Sequence, residues 1–92
     1  MAAVTVSLIG KPGCHLCDDA RGVIEGVIEG VREQVSARGI AIELEEFNIL
    51  EDEQLARRYS EEIPVVRVNG KQHAIWRVDA EKLERAILRA AE

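Results

Sequence analysis

Lys11-Pro12-Gly13-Cys14-His15-Leu16-Cys17-Asp18-Asp19 is the stretch on which the reading of the chain turns. It contains both cysteines, spaced C-x-x-C. It sits where a β-branched run, Val4 to Ile9, gives way through Gly10, Pro12 and Gly13 to a long helical pattern beginning near Leu16. A thiol at the first turn of a helix faces unpaired backbone N–H groups and the positive end of the macrodipole, so its thiolate is favoured and its pKa drops. A second thiol one turn further in can close on the first. Together they make the minimum set for thiol–disulfide exchange.

On the N-terminal side, Val4, Val6 and Leu8 alternate with Thr5, Ser7 and Ile9, a strand apolar on both faces and suited to the middle of a covered sheet. On the C-terminal side, Leu16, Ala20, Val23, Ile24, Val27, Ile28, Val31 and Val35 recur every three or four residues. That spacing predicts a helix of about 20 residues with one buried face, ending at Arg38-Gly39 with Gly39 as its C′ residue. Gly22, Gly26 and Gly30 fall on one line of this helix. They either admit another backbone, from the sheet or a second subunit, or are poor helix formers outweighed by the buried valine and isoleucine face. The second reading is favoured, because each glycine costs only about 1 kcal/mol relative to alanine.

Farther along, Ile40, Ile42 and Leu44 predict a second strand, and the opposite parity of Phe47 predicts a bend or bulge near Glu45-Glu46. Glu51-Asp52-Glu53 opens a short helix carrying Leu55 and Tyr59, with Arg57 and Arg58 near its negative end. Val65, Val66 and Val68 form a third strand, Asn69-Gly70 signals a two-residue hairpin, and Lys71 to Trp76 runs back. Asp79 caps a last helix with Leu83, Ala86, Ile87 and Ala90 inward. The order βαβαββα implies an α/β fold: a four-stranded mixed sheet flanked by three helices.

The chain of 92 residues is long enough for one domain, residues 1–92, with a core that needs no cross-links. A net charge of −5 with scattered basic residues argues against nucleic acid or an anionic membrane as partner. No leader pattern and no apolar run of roughly 18 residues is present, so a soluble cytoplasmic protein is expected. In that reducing compartment a lone cysteine pair points to catalysis or metal binding rather than to a structural cross-link.

Lys11-Pro-Gly-Cys14-His-Leu-Cys17, Ile63-Pro64-Val65-Val66 and Val68-Asn69-Gly70-Lys71, in that order of elements, resemble a glutaredoxin-like protein of the thioredoxin superfamily, of the C-x-x-C dithiol type. The resemblance covers nearly the whole chain. It implies the thioredoxin fold, with Cys14 attacking a substrate disulfide, Cys17 resolving the mixed disulfide, and a cis bond before Pro64 against the sulfurs. It implies a dithiol–disulfide oxidoreductase acting on protein disulfides or glutathione mixed disulfides. No bound cofactor is implied, with glutathione as a possible co-substrate, and the protein is expected to be a monomer. The partners implied are a disulfide-containing protein and a thiol reductant, either glutathione or a reductase. Lys11, His15, Leu16, Ile63, Pro64 and Trp76 are the candidate substrate-binding residues. The alternative is a thioredoxin-fold module that docks a partner, or holds a metal or iron–sulfur cluster, with little turnover.

The chain departs from the family at two places. His15-Leu16 replace the usual proline and tyrosine between the cysteines, and Ile75-Trp76-Arg77-Val78-Asp79 replace a glycine pair and acidic residue that cradle the γ-glutamyl end of glutathione. An indole cannot permit the backbone approach that glycine does, although Lys11 and the helix starting at Asp79 still offer positive ends to a carboxylate. The aspartate that thioredoxins bury beneath the cysteines has no evident counterpart. His15 either tunes the Cys14 thiolate or is merely solvated. Asp18 and Asp19 favour the helix but oppose the thiolate. His73 is a weak candidate for a fourth metal ligand beside Cys14, His15 and Cys17. For Trp76 a packed hairpin position is favoured over a substrate platform, because a small aromatic-poor core would use it.

Overall fold

A computed structural model describes residues 3–92. The strands are β1 (Ala3–Gly10), β2 (Ala41–Asn48), β3 (Val65–Val68) and β4 (Lys71–Ile75). The helices are α1 (His15–Ser36), α2 (Glu53–Tyr59) and α3 (Ala80–Ala90). The sheet runs β2-β1-β3-β4, with β1 parallel to β2 and antiparallel to β3, and β3 antiparallel to β4. The parallel pair follows from the α1 crossover, the antiparallel pair from the Asn69-Gly70 hairpin, where both residues take positive φ, 52° and 80°.

Alternation along β1 divides the core between the two faces of the sheet. Val4, Val6 and Leu8 share one face with Val66 and Val68 and pack against Ile24, Ile28, Val31 and Val35 of α1 and Leu83 and Ile87 of α3. Ile9 and its register partner Val65 share the other face with Ile49 and Tyr59. Burying those four α1 side chains contributes roughly 1.5–3 kcal/mol each, which outweighs three interior glycines at about 1 kcal/mol each. A Cβ built at Gly22, Gly26 or Gly30 meets nothing within 4 Å, so the glycines do not serve an approach to the sheet. They instead line a shallow groove with Ala80, Glu81 and Glu84 of α3.

Three sequence expectations differ from the structure, which also adds one short element. β2 pairs with β1 in unbroken register from Ala3↔Ala41 to Gly10↔Asn48, so there is no bulge at Glu45-Glu46. Phe47 simply points to the face opposite Leu44 and stays 39% exposed. The irregularity in the sheet lies between Val66 and Arg67, against β4. The last helical residue of α1 is Ser36 with Ala37 as its cap, so Gly39, at φ 75°, falls one position beyond C′. A short 3₁₀ turn, Ile49–Glu51, follows β2, and Asn48 caps it by accepting the Leu50 N–H. Finally, Trp76 lies past the end of β4 and is 52% exposed, so it is not a packed hairpin residue.

Candidate functional site

The cysteines owe their placement to the β1–α1 turn. Gly13, at φ 76°, turns the chain, and Cys14 then takes the extended N-cap conformation, with φ −103° and ψ 110°. The N–H of Cys17 donates to Cys14 Sγ at 3.1 Å. Sulfur thus occupies the place where a serine or aspartate oxygen ordinarily accepts the third-residue N–H of a helix. Any negative charge on Cys14 is favoured by that donor and by the helix dipole. Cys14 is partly exposed, Cys17 is only 1% exposed, and the two sulfurs are bonded, with Cα atoms 5.2 Å apart.

Gly10 makes room for this pair. It ends β1 at an ordinary negative φ, and its role lies in its missing side chain: a Cβ there would fall 2.8 Å from Cys17 Sγ and 3.2 Å from Cys17 Cβ. In the sequence alone Gly10 belongs with the turn glycine and proline that follow it. The available signal was a glycine ending a buried strand just before the motif.

The Ile63–Pro64 bond is cis, as the resemblance implied. Pro64 directly precedes Val65, whose register partner on β1 is Ile9, the residue before Gly10. Ile63 is half-buried and its N–H donates to the Tyr59 carbonyl at 3.1 Å.

Of the remaining sequence candidates, Lys11, Leu16 and Trp76 line two cavities near the start of α1. Lys11 and Pro12 line one of 320 Å³, together with Gly10, Cys17, Arg21, Glu46 and Phe47. Leu16 and Trp76 line the other, of 140 Å³, with Ala20, Val23, Val78 and the exposed Asp19 and Arg77. His15 is exposed and lines neither. Phe47 and the Arg21–Glu46 pair were not singled out from the sequence. Glu46 and Phe47 lie 25 or more positions beyond Arg21 and the cysteines along the chain, and only the β1–β2 register, Leu8↔Glu46, brings them there.

Near the cysteines, Asp18 of α1 and Glu46 of β2 share one guanidinium, that of Arg21. Arg21 donates to Glu46 at 2.8 Å and to Asp18 at 2.9 Å, and these two bonds, that to Glu46 first, hold the guanidinium pKa above its ordinary value. Asp18 therefore opposes a nearby thiolate less than its position in the sequence suggests. At the far side, the Asp79 carboxylate accepts the Lys82 N–H at 3.0 Å, and its pKa is lowered chiefly by that bond. The start of α3 is thereby already occupied by a negative group. The positive helix end offered to a ligand carboxylate in the sequence reading is correspondingly reduced. His73 sits on β4, where burial pushes its pKa down. Among the described residues no group of three or more His, Cys, Asp or Glu side chains gathers to hold a metal ion.

Comparison with known proteins agrees with the architecture. A structural-genomics target protein from X. campestris superposes with a TM-score of 0.67 at 26% identity, covering 95% of this chain and 99% of that one. A mutant thioredoxin from Halobacterium salinarum gives a TM-score of 0.67 at 18% identity over 99% of this chain and 77% of that chain. Chloroplastic thioredoxin z gives 0.70 at 10% identity over 96% and 78% of the two chains. The two thioredoxins establish the thioredoxin fold and nothing more. No curated protein matches the sequence. None of the helices among the described residues is long and apolar enough to cross a membrane. The model of the glutaredoxin-like domain (DUF836) matches residues 5–88, the span that includes the cysteine turn, the Ile63-Pro64 bond and α3 up to Leu88. A match over most of the chain, on this fold, makes the protein a member of the glutaredoxin-like domain family within the thioredoxin superfamily.

Proposed function

We propose that the chain is a dithiol–disulfide oxidoreductase that reduces protein disulfides or glutathione mixed disulfides. The observation that carries this reading is the unequal pair at the start of α1: a partly exposed Cys14 whose sulfur receives a main-chain N–H, bonded to a buried Cys17. In the reduced protein the Cys14 thiolate attacks one sulfur of the substrate disulfide. A Cys14–substrate bond forms, the substrate bond breaks, and the departing thiolate takes its proton from solvent. Cys17, once deprotonated, attacks Cys14 Sγ and expels the second substrate thiolate. Two electrons have then passed to the substrate, and Cys14 and Cys17 are left as the disulfide. A thiol reductant, glutathione or a reductase, restores the dithiol.

No resident cofactor enters this cycle, and the reading carries with it a cytoplasmic, monomeric protein whose partners are a disulfide-bearing polypeptide and the reductant. Reduction of insulin and of a glutathionylated peptide, run side by side on one preparation, tests it. Wild type is expected to turn over at least one substrate, Cys14→Ser neither, and Cys17→Ser to accumulate a mixed disulfide through Cys14. Wild-type rates no faster than those of Cys14→Ser would end the proposal.

A further inference from the structure

Trp76 is the one tryptophan of the chain, and its backbone is unusual. At φ 66° it occupies the left-handed region, which bulky residues rarely enter, and the Arg77 N–H donates to the Ile75 carbonyl at 2.8 Å across it. That is a three-residue turn of the strained, positive-φ kind. Core packing does not explain the strain, because half of the side chain is exposed. The residue is nonetheless fixed at two points: its main-chain N–H donates to the Pro64 carbonyl at 2.8 Å, and its Nε1–H to the Glu61 carbonyl at 3.0 Å. The outcome is an indole held rigidly beside the cis-proline, facing the 140 Å³ cavity it shares with Leu16.

From this geometry, and resting on the redox reading above, we infer that Leu16 and Trp76 form a specificity pocket for an apolar side chain close to the attacked cysteine of an extended polypeptide, so that protein disulfides are preferred to glutathione mixed disulfides. One wall of the pocket, Leu16, lies between the two cysteines in the chain, and the other, Trp76, donates its main-chain N–H to the Pro64 carbonyl. Its other apolar lining, Ala20, Val23 and Val78, suits a hydrocarbon. Its volume is close to that of the roughly 150 Å³ apolar cavity that holds a benzene molecule in another protein, so one branched or aromatic side chain fills it. Glutathione fits it poorly. The N–H groups of Trp76 and Arg77 are both spent on internal carbonyls, and the Asp79 carboxylate already accepts the Lys82 N–H in the first turn of α3. A γ-glutamyl carboxylate would find those donors taken and a like charge beside them.

Three disulfide substrates distinguish the possibilities: a peptide with leucine beside the attacked cysteine, the same peptide with serine there, and the glutathionylated peptide. Wild type is expected to show kcat/KM about tenfold or more higher for the leucine peptide than for the serine peptide, the range a hydrophobic pocket supplies, and to be slowest on glutathione. Trp76→Gly should lose most of the leucine preference, through a KM that rises more for the leucine peptide than for the serine peptide, and gain on the glutathionylated one. Trp76→Phe should keep it. Trp76 fluorescence in Cys14→Ser gives a readout independent of turnover, a blue shift on titration with the leucine peptide but not the serine peptide. Equal efficiencies for the two peptides in wild type, an equal loss on both in Trp76→Gly, or faster turnover of the glutathionylated peptide by wild type would each overturn the pocket. If wild type turns over none of the three while the leucine peptide still shifts the fluorescence, the redox reading falls and the pocket stands as a docking site. If the fluorescence is unmoved as well, both fall.

Discussion

Replacing Gly10 by alanine should damage the protein in a way traceable to one atom. The new Cβ lies 2.8 Å from Cys17 Sγ and 3.2 Å from Cys17 Cβ, whereas carbon contacts settle at about 3.5–4.0 Å. Some 0.7 Å must therefore be found by moving something. Cys17 is 1% exposed and tied to Cys14, and β1 is paired on both sides, to β2 through Gly10↔Asn48 and to β3 through Ile9↔Val65. Forcing a methyl into such packing costs about 1–3 kcal/mol, and the lower chain entropy of alanine in the unfolded state offsets about 0.4–1 of it. A net loss of about 1–2 kcal/mol lowers Tm by roughly 5–15 °C in a domain of this size. The test is a double-mutant cycle by urea or thermal melting of wild type, Gly10→Ala, Cys17→Ala and the double variant. Loss of the disulfide is common to both Cys17→Ala arms and cancels. With Sγ removed only the 3.2 Å contact persists, so the Gly10→Ala penalty should shrink by about 1 kcal/mol. Additivity within about 0.3 kcal/mol would show that Gly10 does not serve Cys17 and would refute the reasoning.

Further outcomes follow from the same geometry. Trp76→Gly should be about 1 kcal/mol more stable than Trp76→Ala, because both lose the indole but only glycine is at ease at φ 66°; equal melting points would contradict that. Alkylation of the reduced protein near neutral pH should label partly exposed Cys14 well before buried Cys17, and peptide mapping that finds Cys17 labelled first would reverse their roles. His73 is kept neutral chiefly by burial, so its folded pKa lies below the ordinary value near 6.5 and the unfolded chain takes up the proton first as pH falls. Its contribution is complete above about pH 6.5 and is lost as pH falls through the folded value. The urea midpoint should decline between pH 7 and pH 5 less steeply in His73→Gln than in wild type, and parallel declines would exclude His73 as the cause.

Local pattern alone determined much of this protein. Strand alternation from Val4 to Ile9, the heptad-like spacing from Ala20 to Val35, Asn69-Gly70 and the Asp79 cap each specify their element through near-neighbour physics: side-chain periodicity, positive φ and a carboxylate satisfying free N–H groups. The C-x-x-C at a strand-to-helix turn was legible for the same reason, since a helix start is a local electrostatic environment. Where the sequence misled, the deciding contact was distant. Phe47 looked like a bulge because parity along one strand does not say which face the fold leaves open, and that depends on what α2 and the 3₁₀ turn cover. The Arg21–Glu46 pair exists only because β2 lies in parallel register against β1. Gly10 reads as a turn residue until the buried Cys17 sulfur is set against it. Trp76 looked like a core residue because an indole is worth burying, yet its backbone is held by the Pro64 carbonyl and its ring by the Glu61 carbonyl, groups of another loop that hold it at the surface. Sequence near-neighbours could establish the reacting pair, and only the packing of remote segments decided what surrounds it.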